Sequence, residues 1–102
     1  MSVVIMTKFE VDPSVLEELA NGQHADTMKR VAEVSRSSGA IHHRFLQDGE
    51  GAVDALDEWE SEDAYHRFFD SQVDIQRIMA DARVTAQPVS TTYRIMPTPD
   101  TF

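Results

Sequence analysis

Three residues carry most of the chemistry open to this chain: His43, Asp57 and Trp59. Imidazole titrates near neutrality. His43, set between the apolar Ile41 and Phe45, can therefore act as a general base or donate a hydrogen bond to a ligand oxygen. It can equally be a structural histidine held by an acid or a backbone carbonyl. Asp57 is costly to bury unpaired, and His43 or an arginine would satisfy it. A carboxylate on His43 would also tune that ring's proton affinity. Trp59, two residues later on the same strand face, offers a flat surface for an aromatic ligand or simply fills the core. An Asp–His pair beside a Trp is the one constellation here with chemical potential.

Other chemistries find little support. His42 and His43 are adjacent in a strand and point to opposite faces, so they cannot close on one ion, and no metal is expected. The chain has no cysteine, hence no disulfide, thiolate nucleophile or cysteine-held metal. No glycine-rich phosphate loop occurs, and Ser35 to Ser38 lack the strand–turn–helix setting of a nucleophile elbow. The expected cofactor set is therefore empty. A net charge of −9 argues against nucleic acid and anionic membrane surfaces as partners. Eight carboxylates and no Lys or Arg lie between Asp48 and Asp63, which reads as a solvated strand edge and loop. No apolar run approaches the ~18 residues of a membrane span, and the N-terminus reads as a first strand without a signal peptide. The expected compartment is the cytoplasm.

The elements that position these residues follow from periodicity. Residues 3–11 alternate as strand one, with Val3, Ile5, Thr7 and Phe9 on one face and Val4, Met6 and Lys8 on the other. Asp12-Pro13 opens a helical stretch that breaks near Gly22 and runs on to Gly39. Strand two spans Ala40 to Gln47, with Ile41, His43 and Phe45 on one face and His42, Arg44 and Leu46 on the other. A turn at Asp48-Gly49-Glu50-Gly51 leads to strand three, about Ala52 to Glu60, where Val53, Ala55, Asp57 and Trp59 share a face. Ser61 caps a helix bearing Tyr65, Phe68 and Phe69, and a second helix carries Ile75, Ile78 and Met79. Pro88 opens strand four, Val89 to Met96, on which Tyr93 is expected to face the helices and Arg94 to share the opposite face with Arg44. His24 and His66 read as exposed helix residues.

The order β-α-β-β-α-β predicts an α+β, ferredoxin-like antiparallel sheet with helices on one face. Residues 1–97 form the single expected domain and 98–102 an extended tail. The helix-free face keeps Val4, Met6, Leu46, Leu56 and Met96 among charges, which predicts a homodimer through that face.

The element order and the stretch Asp57-Glu58-Trp59-Glu60-Ser61, with Gly39 opening strand two, resemble the antibiotic-biosynthesis-monooxygenase-like family of the dimeric α/β barrel superfamily. The resemblance covers residues 3–96. It implies a pocket between the helices and the sheet, with Thr7, Phe9, Ile41, His43, Phe45, Asp57, Trp59 and Tyr93 on the sheet side and Phe68, Phe69, Ile78 and Met79 as its roof. It further implies a cofactor-independent monooxygenase of a small aromatic or polyketide-like molecule, with His43 and Asp57 catalytic and Thr7, Phe9, Trp59, Phe68, Phe69, Met79 and Tyr93 binding substrate. The alternative is a non-catalytic small-molecule-binding or regulatory domain on the same fold. Two positions depart from the family. Phe68 stands where many members carry a histidine, and Thr7 stands nearest the asparagine of the haem-degrading members, so haem degradation is not expected.

Overall fold

The computed structural model describes residues 2–102; Met1 lies outside the described residues. Four strands form one sheet in the order β2-β3-β1-β4, from β1 (Val3–Glu10), β2 (Ala40–Asp48), β3 (Ala52–Trp59) and β4 (Val89–Arg94). Every pairing is antiparallel. The helices α1 (Pro13–Asn21) and α2 (Ala25–Ser37) follow β1, and α3 (Glu62–Ser71) and α4 (Val73–Asp81) follow β3. The fold is thus the expected α+β, ferredoxin-like one.

Local chemistry sets the element ends. Asp12 caps α1, its carboxylate accepting from the Ser14 N–H at 3.0 Å. The helical stretch breaks at Gly22, whose backbone leaves the helical region at φ −116°, ψ −103°, a turn so tight that a Cβ there would meet the Glu18 carbonyl oxygen at 2.9 Å. Ser61 caps α3 by accepting from the Ala64 N–H at 3.1 Å. Gly39 adopts φ +117°, open to glycine at little cost, and its carbonyl accepts from the Glu60 N–H at 2.9 Å. That bond ties the start of β2 to the end of β3.

On β1 and β3 the predicted alternation holds. Ile5, Thr7 and Phe9, with Val53, Ala55, Asp57 and Trp59, are all buried beneath the helices. The core falls into two clusters. One gathers Phe9, Leu16, Val53, Ala55, Ile78 and Met79; the other gathers Ile5, Trp59, Ala64, Tyr65 and Phe68.

Three expectations need correction. Ile41 does not share a face with His43, because the β2–β3 register shifts between Ala40 and His42. Ile41 is the bulged residue and is exposed, while Ala40 takes the helix-facing place opposite Trp59. Arg94 lies opposite Val3, on the helix side, whereas Arg44 lies opposite Leu56 on the free face. His24 is buried, not exposed. Its Nε2 meets Asp81 Oδ2 at 2.7 Å and ties the start of α2 to the end of α4.

Candidate functional site

The sheet register brings the site together as cross-strand rows. His43, Asp57, Ile5 and Thr92 form one row across the four strands, and Phe45, Ala55, Thr7 and Ser90 form the next. Direct cross-strand neighbours on one face sit roughly 4.5–5.5 Å apart at Cβ, within side-chain reach. His43 Nδ1 accordingly meets Asp57 Oδ1 at 2.5 Å. A carboxylate only accepts, so an ionised Asp57 would fix the proton of a neutral His43 on Nδ1 and leave Nε2 as the basic nitrogen. The other carboxylate oxygen, Oδ2, accepts from Trp59 Nε1 at 3.4 Å. Asp57 is nearly buried and both of its oxygens are engaged.

Between the helices and these rows lies a cavity of about 90 Å³. It runs along the seam between the two core clusters, where Ala55 is small and leaves its row hollow. Trp59, 1% exposed, forms one wall with Phe68, the ring centroids 5.2 Å apart. Phe69 stacks on Tyr65 at 5.5 Å, and Ile78 and Met79 of α4 close the roof. Exposed lining residues lie on edge strand β2. There the His43 side chain is 42% exposed, and its ring is braced edge-on by Phe45 at 4.8 Å. A proton taken by His43 therefore has a route to solvent. Among the described residues that line the cavity there is no lysine or arginine. Among the described residues no three His, Asp or Glu side chains gather as a metal site.

Of the residues expected to bind a ligand, Thr7, Phe9, Trp59, Phe68, Phe69 and Met79 line this cavity, together with His43 and Asp57. Tyr93 does not. It pairs with Val4 on the helix-free face and is 52% exposed. The register sets Ser90 and Thr92, not Tyr93, on the helix side. β4 reads Val-Ser-Thr-Thr-Tyr-Arg, with its apolar residues at odd positions, and a sheet with two partly apolar faces gives no rule for which face they take.

Tyr65 reads in sequence as a core residue, and its polar end is evident only in the fold. Its hydroxyl lies 2.7 Å from Thr7 Oγ1 and 3.2 Å from Ser90 Oγ, and Thr7 lies 3.0 Å from Ser90. The three hydroxyls close a small ring, of which Thr7 and Tyr65 line the cavity and can turn to meet a ligand oxygen. The available signal was general: a tyrosine in an apolar stripe needs a partner for its hydroxyl, and Thr7 was the polar residue on the facing strand.

Comparison with known proteins bears on the fold. The structure matches SnoaB, a cofactor-independent oxygenase from Streptomyces nogalater, with TM-score 0.63 and 16% identity over 98% of both chains. The chain has the fold of the antibiotic biosynthesis monooxygenases. It also matches the ActVA-Orf6 monooxygenase of Streptomyces coelicolor, determined in complex with nanaomycin D, with TM-score 0.59 and 24% identity over 95% of this chain and 93% of that one. Rv0793 from Mycobacterium tuberculosis matches with TM-score 0.61 and 12% identity over 98% and 100%. No family model and no curated protein sequence matches the chain.

Proposed function

We propose that the chain is a cofactor-independent monooxygenase of a small aromatic molecule, with His43 as general base and Asp57 as its orienting partner. The observation that carries this reading is the 2.5 Å His43–Asp57 bond at the mouth of a cavity walled by Trp59, Phe68 and Phe69. The likeness in fold to SnoaB and ActVA-Orf6 supports the reaction class and leaves the substrate open. In this scheme His43 Nε2 takes a phenolic proton, and the electron-rich ring carbon gives its electrons to O₂ and forms a C–O bond. The O–O bond then breaks as the C–H electron pair becomes part of a carbonyl. One oxygen atom stays in the product and the other leaves as water. The aromatic walls exclude water from the anion.

The same reading pairs two copies through the helix-free sheet face, where Leu46 and Tyr93 are exposed and Val4, Met6 and Leu56 half-buried. The His43–Asp57–Trp59 group is assembled within one chain. A second reading, a binding domain without turnover, is favoured by Phe68, which stands where many members of the resembled family carry a histidine.

The deciding experiment is oxygen uptake by protein stripped with a chelator, using a panel of phenols and hydroquinones. One O₂ consumed per substrate without hydrogen peroxide supports the reading. Saturable binding without uptake selects the binding domain instead.

A further inference from the structure

We infer that the cavity admits one uncharged aromatic ring, and that Ala55 sets this limit. The inference rests on the cavity being the substrate site, and it narrows the substrate class to single-ring phenols and hydroquinones.

Size comes first. The cavity holds about 90 Å³. An apolar cavity of ~150 Å³ takes up benzene, and sites for drug-sized, multi-ring ligands begin near ~300 Å³. One ring is reached by a small outward shift at the β2 mouth, where His43 and Phe45 are partly exposed. Three fused rings would have to part the roof helices, and a latch opposes that. His24 meets Asp81 at 2.7 Å and Arg30 meets Asp74 at 3.5 Å, so α2 is tied to α4 at two places.

Charge comes second. The described lining holds no lysine or arginine, and its one carboxylate, Asp57, is already bound to His43 and Trp59. A ligand carboxylate would lose its water here and gain no cation beyond a protonated His43, which Asp57 already shares. A neutral phenol meets no such penalty. Its hydroxyl reaches His43 at the mouth, and a second oxygen across the ring can face the Thr7 and Tyr65 hydroxyls, one cross-strand row away.

Ala55 makes the room. It lies at the middle of the row Phe45–Ala55–Thr7, 6% exposed, and its methyl group forms part of the floor. A larger side chain at that position would occupy the space a ring needs.

The test uses the chain's single tryptophan. Trp59 lines the cavity, so its one indole N–H signal in a ¹H–¹⁵N spectrum reports occupancy. The probes are hydroquinone, 4-hydroxybenzoate and 1,8-dihydroxyanthrone, titrated into the wild type, Ala55→Val and Ala55→Leu. The inference expects a saturable shift with hydroquinone, binding of 4-hydroxybenzoate weaker by about tenfold or more, and no shift with the three-ring probe. It also expects graded loss of hydroquinone binding from Val to Leu, in variants whose remaining amide signals keep the wild-type pattern. Failure of Ala55→Leu to fold leaves Ala55→Val to decide the Ala55 claim. Anthrone binding as tight as hydroquinone overturns the size limit. Equal binding of the benzoate overturns the charge limit, and no shift with any probe overturns the inference whole. Hydroquinone binding without oxygen uptake would sustain this inference and defeat the oxygenase reading, so the two fail separately.

Discussion

Replacing Asp57 by Asn tests the division of labour at the site most sharply. The wild-type carboxylate makes two bonds of the same sense, accepting from His43 Nδ1 at 2.5 Å and from Trp59 Nε1 at 3.4 Å. Asparagine keeps the shape but offers one oxygen and one NH₂. If the oxygen stays on Trp59, the NH₂ turns to His43 and donates to Nδ1. The imidazole proton then moves to Nε2, the atom that accepts from substrate in the proposed scheme, and that base is lost. General-base catalysis is worth ~10²–10⁴ in rate, or about 2.7–5.4 kcal/mol of transition-state free energy. If the oxygen instead turns to His43, the base survives and the Trp59 N–H, in a side chain 1% exposed, loses its acceptor. An orphaned buried donor costs ~1–3 kcal/mol, and the 3.4 Å length of the original bond places this case at the low end. In a domain of this size that is a fall in Tm of roughly 4–8 °C. Both bonds end on one carboxylate and the His43 bond is the shorter, so the two outcomes read directly which partner the amide prefers. Oxygen-electrode rates and a thermal melt on the same preparation separate them. Turnover within about twofold of the wild type, with an unchanged melt, would refute both the base assignment and the role given to Asp57.

Other consequences are simpler. Gly39→Ala forces a side chain onto φ +117°, with its Cβ 3.3 Å from Glu60 Oε2 and 3.4 Å from Ala64 Cβ. A loss of about 1–3 kcal/mol is expected in a urea titration, and an unchanged midpoint would contradict it. His24→Ala removes the bond to Asp81 between α2 and α4. It should lower stability by about 1–3 kcal/mol and speed amide exchange in α2 and α4 ahead of the strands; uniform exchange would argue against a latch. On the helix-free face Lys8 Nζ meets Asp48 Oδ2 at 2.9 Å, and this bond raises the Lys8 pKa and lowers that of Asp48 below its ordinary 3.8. The Asp48 contribution to stability is therefore present above pH 3.8 and is lost as pH falls through the depressed value. The Lys8 contribution is present below pH 10.5 and is lost as pH rises through the raised value. Asp54 runs the other way. Burial and the neighbouring Asp48 raise its pKa, so it opposes stability once pH climbs past 3.8. Asp48→Asn should flatten the acid limb of a stability–pH curve, and an unaltered limb would contradict the assignment.

Particular residues show how far the sequence could be read. Val53, Ala55, Asp57 and Trp59 alternate without interruption, so the face of β3 followed from period two alone. The His43–Asp57 pair was legible because both residues lie on strands joined by a short turn and facing the same helices. Ile41 was misplaced because a bulge inserts one residue without any mark in composition, and only the pairing to Glu58 and Trp59 reveals it. Tyr93 was misplaced because edge strand β4 turns the polar Ser90, Thr92 and Arg94 to the helix side and Val89 and Tyr93 to the free face. His24 looked exposed because the Asp81 that buries it lies 57 residues away. Local periodicity carries no word of such a partner.

The proposed oxygenase chemistry depends on His43 as the base, and its most direct measurement is oxygen uptake by His43→Ala on a single-ring hydroquinone, with folding confirmed by an intact near-UV spectrum. A fall of ~10²–10⁴ in turnover is expected, with Trp59 still able to sense ligand binding. Uptake at the wild-type rate would contradict it.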